Sequence, residues 1–399
     1  DSARTNNSID TVIIGGSVAG LQTALLLAQG GANVELFDSN DVMHVQPRTL
    51  IATAQLADAL GFFPSQAVVN EVHSIEICSA GQSVKVTLPK ADLVIERAAI
   101  ISMLARKASA AGVKIHSGHK FLGFAPSPHG SGVTVQIQDK ARKRVEEFST
   151  RCLIGADGGF SQVATAAAMN GLPRVPLLQA RVELPSGFDA RNVSVWFEPE
   201  QTPYFFWLIP ESEKTAALGF IADESKTAKR KLLRFLNARA FKSVPSPIQA
   251  AWIPLSASAH RPWRQISGCD VYLVGDAAGH VKVTTVGGLV TGLWGARAAA
   301  ESILKNTSYA KALRRLNREL WLHELIRRAL NRFRPGDYDQ LLHAIDASTA
   351  RLLGRHSRDE LTALALKLAF TQPRLLSFLP RLFASAKLAT PLAQTEPAH

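Results

Sequence analysis

The chain has little cysteine, three residues in 399, and little methionine, also three. Cys78, Cys152 and Cys269 lie far apart and show no CxxC spacing. That excludes a zinc ribbon or a redox dithiol and leaves the thiols as small apolar groups suited to a reducing compartment. No apolar run reaches the ~18 residues that span a bilayer, and the small-residue stretch 287–304 is broken by Arg297 and Glu301. Residues 1–10 are polar and lack the apolar core of a secretory leader, so a cytoplasmic protein is the expectation. No internal repeat, low-complexity segment or basic motif interleaved with aromatics is present, and nucleic acid is not an expected partner. No Ser-His-Asp arrangement and no metal-ligand spacing stand out, so no metal is expected.

What is there is an ordinary folded composition, 46% hydrophobic and 20% charged, with a formal net charge of +12. Such a charge attracts phosphates, acidic surfaces or anionic lipid headgroups, and argues about association rather than fold.

The expected fold begins with a β-α-β unit. An apolar strand, Thr11–Ile14, runs into Gly15-Gly16-Ser17-Val18-Ala19-Gly20; residues 21–29 are strong helix formers stopped by Gly30-Gly31, and a second strand over 34–37 ends at Asp38. Residues 49–60 and 97–111 read as helices, 69–77 and 83–88 as strands, and 132–138 and 145–154 as further strands. Between 172 and 255 strand-like runs over 193–197, 204–209 and 216–221, bounded by Pro and Gly, predict an antiparallel sheet. A strand over 271–274 and a small-residue helix from about Gly287 return the chain to the first domain, and beyond Tyr309 nearly everything is helical and basic. The expected division is a discontinuous nucleotide domain over 9–68, 90–171 and 261–306. A substrate-domain sheet takes 69–89 and 172–260, and a C-terminal helical region 307–390.

The first glycine cluster fits G-x-G-x-x-G with Ser17 in the central position. It makes a tight turn that brings backbone N–H groups and a helix N-terminus against a pyrophosphate. Gly15, Gly16, Ser17, Ala19 and Gly20 are the candidate residues, and the Ser17 hydroxyl could donate to a phosphate. Asp38, at the end of the second strand, suits the ribose hydroxyls of an adenosine and repels a 2′-phosphate, which disfavours NADP. This unit does not choose between NAD and FAD.

Two later stretches, Leu153-Ile154-Gly155-Ala156-Asp157-Gly158 and Val271-Tyr272-Leu273-Val274-Gly275-Asp276, are apolar strands ending in an acidic turn. They resemble the D-G and G-D motifs of the para-hydroxybenzoate hydroxylase superfamily, a resemblance that implies a Rossmann-like FAD domain joined to a sheet-based substrate domain. It implies that Asp157, Gly275 and Asp276 bind FAD, with Asp276 on the ribityl chain. The helix opening at Gly287-Gly288 would point its positive end at the isoalloxazine N1/C2 carbonyl. Arg97 stands where that superfamily has an arginine near FAD, and Arg48 is a second candidate. Residues 275–288 are similar to the GDAAG-x-VKPTTGGG stretch of the geranylgeranyl reductase family, with Val283 in place of a proline and Val286 in place of a glycine. Phe205-Phe206-Trp207-Leu208-Ile209-Pro210 resembles its YxWxFP motif, and equally the WxWxIP motif of flavin-dependent halogenases. Ala164 suits the reductase branch, whereas Arg48-Thr49-Leu50 looks more like aromatic hydroxylases.

The resemblance implies an enzyme whose chemistry its cofactor carries. The leading expectation is a reductase in which FAD, non-covalently held and renewed by NAD(P)H or a reduced carrier, gives hydride to an alkene of a large apolar or lipid substrate. Phe205, Trp207 and Ile209 would form the substrate wall, as against ordinary aromatic packing. The alternatives are a monooxygenase of an aromatic ring, free or carried on a partner protein, and a non-catalytic flavin carrier. The basic tail, with Arg314, Arg315, Arg318, Arg327 and Arg328, suits either a peripheral encounter with anionic membranes or a solvated helical face. His44 and His280 read as solvated or hydrogen-bonded.

Overall fold

The computed structural model describes residues 8–128, 130–169, 171–255 and 260–371. The longer helices are α1 (Val18–Gln29), α2 (Arg97–Ala110), α3 (Ser225–Ala238), α4 (Leu289–Leu304) and α5 (Arg314–Leu330). One sheet runs in the order Trp263–Ile266, Cys269–Leu273, Cys152–Gly155, Thr11–Ile14, Val34–Asp38, Lys114–Ser117, parallel throughout except for the first strand. Thr11–Ile14 is buried at every position because both faces of this sheet are covered, as parallel sheets require. Ile13, Leu36 and Ile154 point into a core with Leu21 of α1, Ile100 and Leu104 of α2 and Leu293 of α4. Val12, Ile14, Leu153 and Leu273 point the other way, against Phe121, Val135 and Phe148 of a four-stranded sheet that starts at Ser8–Ile9.

The register of this sheet positions everything that follows. Phe37 pairs with Ile14, Ile14 with Gly155, and Gly155 with Leu273. The carboxyl ends of four strands are therefore level, and Asp38, Gly15, Ala156 and Val274 emerge side by side. Open parallel sheets bind ligands along this edge.

The second large sheet has the order Gln249–Pro254, Arg174–Glu183, Thr215–Ile221, Phe206–Pro210, Asn192–Trp196, Val68–Cys78, Ser83–Glu96, Thr49–Ala52. Its pairs are antiparallel except Asn192–Trp196 with Val68–Cys78. One face is sealed by α3, where Phe235 stacks on Phe206 at 3.9 Å between ring centroids and Leu232 and Leu236 join the same core. The other face turns toward the loop that precedes α4.

Three local expectations are corrected. Residues 49–60 are not one helix: Thr49–Ala52 is an edge strand and only Leu56–Leu60 is helical, because the Glu96 end of a neighbouring strand recruits Thr49. Residues 145–154 are two strands in different sheets, Arg144–Thr150 and Cys152–Gly155. Thr150 marks the turn, its hydroxyl donating to Asp10 O and accepting from Cys152 N–H. The strand expected over 83–88 continues to Glu96, and irregular pairing between Val72 and Ser74 absorbs the extra residues around Pro89, as a bulge allows. The tail past 309 is helical through Leu361–Thr371; residues 372–390 of the expected helical region, and 1–7 of the polar start, lie outside the described residues.

Candidate functional site

At the end of Thr11–Ile14, Gly15 takes φ +108 and donates its N–H to Phe37 O at 2.8 Å. A Cβ there would lie 2.4 Å from Ala156 O, at Gly16 2.6 Å from Val42 Cγ2, and at Gly20 2.2 Å from Gly15 O. Only glycine lets the turn close onto the neighbouring strand end and pull the start of α1 in behind it. Ser17 is the N-cap of α1, its Oγ accepting from Gly20 N–H at 3.2 Å. The oxygen is thus committed to the helix, and what remains for a phosphate is its O–H together with the Val18 and Ala19 amides, which helix geometry leaves without internal acceptors. Ala19 is buried, and its Cβ lies 2.8 Å from where one would stand on Gly275. Asp38 accepts from Gly16 N–H at 2.7 Å and from Asn40 N–H at 2.7 Å, which holds its carboxylate at the mouth of the turn.

Asp157 reaches the site through its backbone, which lies directly behind Gly15. Its carboxylate serves the short helix Gln162–Ala166, accepting from Ser161 O–H at 2.6 Å, Gln162 N–H at 2.7 Å and Val163 N–H at 3.2 Å. Gly275, at φ +61, turns the chain into a short 3₁₀ segment, Gly275–Ala278. Burial pushes the Asp276 carboxyl up, while the guanidinium groups of Arg48 and Arg97 pull against that shift. Burial and the adjacent Arg97 lower Arg48 to about 10, with Asp276 opposing. Burial also lowers Arg97, against the carboxylates of Asp276, Glu96 and Asp38. Arg48, Arg97, Asp276 and Asp38, from three separated stretches, are therefore one charge cluster.

Local pairing explains the arginines. Thr49 is opposite Glu96, so Arg97 N–H donates to Arg48 O at 2.9 Å. Glu96 caps α2 by accepting from Ala98 and Ala99 N–H, and also from Arg48 N–H at 3.1 Å. Sequence reading passed over Glu96; its signal was an acid standing immediately before a helix.

Gly288 is the N-cap of α4 and has no side-chain cap. A Cβ on it would sit 3.0 Å from Val281 Cγ2 and 3.2 Å from Asp276 Oδ1, so the open positive end of α4 faces the Asp276 turn. Gly287 O accepts from Lys282 N–H at 3.2 Å, closing the loop between them. Residues unremarked in the sequence hold this loop from behind. Lys282 is ion-paired with the fully buried Asp359, which also accepts from Thr53 O–H, and Thr284 O–H pairs with His323 Nδ1. Arg327 is a correction to the solvated basic face: it is buried and donates to Val283 O at 3.0 Å, Thr284 O at 3.0 Å and Pro203 O at 2.9 Å. His280 is also corrected, being buried against Gly295 with neither ring nitrogen partnered in the described residues, whereas exposed His44 pairs with Asp41 at 2.7 Å. Only the distant fold could reveal these contacts.

Strand alternation sends Phe206 and Leu208 to α3, and Phe205, Trp207 and Ile209 to the opposite face. There they share a cluster with Val193, Val281 and Val286. Trp207 lies flat over Gly219, where a Cβ would meet its ring at 2.5 Å, and donates Nε1–H to Gln179 Oε1 at 3.2 Å.

These residues fit a flavin dinucleotide. The glycine cradle at α1 admits a pyrophosphate, Asp38 stands level with it for a ribose, and the Asp276 turn and the α4 N-terminus supply the acceptor and the positive end that an isoalloxazine with its ribityl chain requires. Arg48 Nε, buried and without a partner among the described residues, leaves a donor in the same recess for a further acceptor. No group of three or more His, Cys, Asp or Glu that could hold a metal occurs among the described residues.

Comparison with known proteins agrees. A model described as "FAD binding domain" matches residues 8–308. The chain is 25% identical over 312 residues to digeranylgeranylglycerophospholipid reductase 1 of Methanothermobacter thermautotrophicus, covering 73% of this chain and 76% of that protein. It is 25% identical over 307 residues to geranylgeranyl diphosphate reductase of Rhodobacter capsulatus, covering 74% and 75%. In fold it matches a geranylgeranyl bacteriochlorophyll reductase-like protein of Thermoplasma acidophilum, with a TM-score of 0.78 at 16% identity over 94% of this chain and 99% of that one. With the glycine turn, the Asp276 turn and the uncapped α4 converging at one sheet edge, this chain belongs to the FAD binding domain family and is an FAD-dependent oxidoreductase.

Proposed function

We propose that the enzyme transfers hydride from reduced FAD to a C=C bond of a large apolar substrate, of the polyprenyl kind named for its relatives. The observation that carries the reading is the packing of Phe205, Trp207 and Ile209 toward Val281 and Val286 of the loop that opens α4. FAD, when bound, supplies the hydride chemistry and is renewed by NAD(P)H or a reduced carrier. The chain supplies the rest. The α4 N-terminus would favour negative charge on a flavin held beside it, and the Gln179 acceptor fixes the plane of Trp207. The surrounding aliphatic side chains exclude water from an extended hydrocarbon.

A peripheral contact with an anionic lipid surface belongs to the same proposal, on a different face from the tail. Arg327 is buried, and Arg315 and Arg328 pair with Glu360 and Glu324. On α3, Lys226, Lys229, Arg230 and Arg234 are exposed around the exposed Leu233, and none is ion-paired among the described residues. No helix among the described residues is long and apolar enough to cross a membrane.

A hydroxylase is the second reading, favoured by the resemblance of Arg48-Thr49-Leu50 to aromatic hydroxylases and by the buried Arg48 Nε, which has no partner among the described residues. Holoenzyme reduced without oxygen and mixed with geranylgeraniol separates the two. Flavin reoxidation with a product heavier by two hydrogens is the expected result. A product that forms only with oxygen and gains an oxygen atom would replace the reductase reading.

A further inference from the structure

Val286 holds a backbone conformation that does not suit it. Its φ is +53, in the left-handed region, where a β-branched side chain crowds its own backbone. The loop cannot relax away from the strain. Val286 N–H donates to Lys282 O at 2.7 Å and Lys282 N–H to Gly287 O at 3.2 Å. Arg327 grips the carbonyls of Val283 and Thr284, and Lys282 is anchored on Asp359. Strain of this kind persists only where the surroundings over-determine it, and it concentrates at functional sites.

The side chain lies between the two halves of the site. Val286 is half-buried and packs against the cluster that contains Trp207, Ile209 and Val281, two residues before the Gly288 N-cap of α4. Its γ-methyl groups thus fill space between the flavin-side loop and the substrate wall that a glycine would leave open. We propose that Val286 is a specificity-determining residue, a steric gate beside the Phe205–Trp207–Ile209 face that admits an acyclic polyprenyl alkene and excludes ring-bearing substrates. This rests on the reading of the Phe205–Trp207–Ile209 face as the substrate wall.

The test compares holoenzyme with Val286→Gly and Val286→Ala, reading perturbation of the flavin absorbance by farnesol and geranylgeraniol as linear probes and retinol as a ring-bearing one. Wild type is expected to respond to the linear alcohols and hardly to retinol. Val286→Gly, which removes three side-chain carbons, should bind retinol at least about tenfold more tightly, since a single methylene in an apolar pocket discriminates by ~10- to 200-fold, and Val286→Ala should fall between. Melting temperature separates strain from gating: Val286→Gly relieves the backbone, whereas Val286→Ala, also an L-residue, keeps much of that strain while still removing both γ-methyl groups. Linear probes that bind with no gain for retinol in either variant would overturn the gate alone. Silence from every probe in all three proteins would overturn the gate and the polyprenyl reading together.

Discussion

Replacing Asp38 by asparagine isolates the adenosine half of the site. In the structure its two carboxylate oxygens accept from Gly16 and Asn40 N–H, each at 2.7 Å, and the amide retains one acceptor for the turn while removing the charge. A hydrogen bond to a charged group contributes ~1.5–3 kcal/mol and a neutral one ~0.5–1.5 kcal/mol. Each ribose hydroxyl that donates to Asp38 therefore loses about 1 kcal/mol on substitution. With two hydroxyls on the adenosine ribose the loss is about 2 kcal/mol, or roughly 30-fold in the dissociation constant for FAD at 1.4 kcal/mol per decade. Titration of apoprotein with FAD, followed by flavin fluorescence, measures this. FMN, which has the isoalloxazine, ribityl chain and one phosphate but no adenosine, is the control, and its affinity should not change. Equal weakening of FAD and FMN would show that Asp38 acts by holding the glycine turn and not by meeting the ribose. No effect on FAD would remove Asp38 from the site.

Gly219→Ala pushes a methyl into the Trp207 ring, 2.5 Å from its nearest atom. Overpacking and the lost Gln179 bond should cost about 2–4 kcal/mol, with a red-shifted tryptophan emission and unchanged FAD affinity; a weakened flavin would mean the substrate wall is not separable from the cofactor site. Burial, with His260 nearby, holds His280 down to about 3 from an ordinary 6.5. As pH falls below 6.5 the unfolded chain gains a proton that the folded chain refuses, so stability declines by up to about 1.4 kcal/mol per pH unit until the folded value is reached. His280→Leu should flatten the dependence of the melting temperature between pH 6.5 and 4, and an unchanged slope would contradict the burial argument. Reversing Lys229, Arg230 and Arg234 to glutamate should weaken sedimentation with phosphatidylserine vesicles by ~100-fold or more, at ~1 kcal/mol per basic residue near the surface. Equal loss on reversing Arg314 and Arg318 instead would return the contact to the tail.

The glycine turn is legible in the sequence because its determinants are local. A glycine turn, the strand before it and the helix after it lie within one short run, and steric exclusion makes the glycines at 15, 16 and 20 nearly obligatory. The rest is harder. Thr49–Ala52 has a helix-tolerant composition and becomes a strand because Glu96 lies across from it. Thr150 divides what reads as one apolar run because two sheets compete for its ends. Arg327 looks like its exposed neighbours on α5 until three distant carbonyls are placed around it. Asp157 is recognisable as a motif residue, yet only the coordinates show that its carboxylate is occupied by its own helix.

The level ends of Thr11–Ile14, Cys152–Gly155 and Cys269–Leu273 also bear on how the protein acquires its flavin. Adjacent strands here are drawn from the opening, middle and later parts of the polypeptide, so their pairing must wait for slow closure of very long loops. The binding recess exists only after that closure, and the vitamin-derived ligand then stabilises the closed topology in proportion to the logarithm of its free concentration. A melting temperature that climbs with added flavin is the expected consequence.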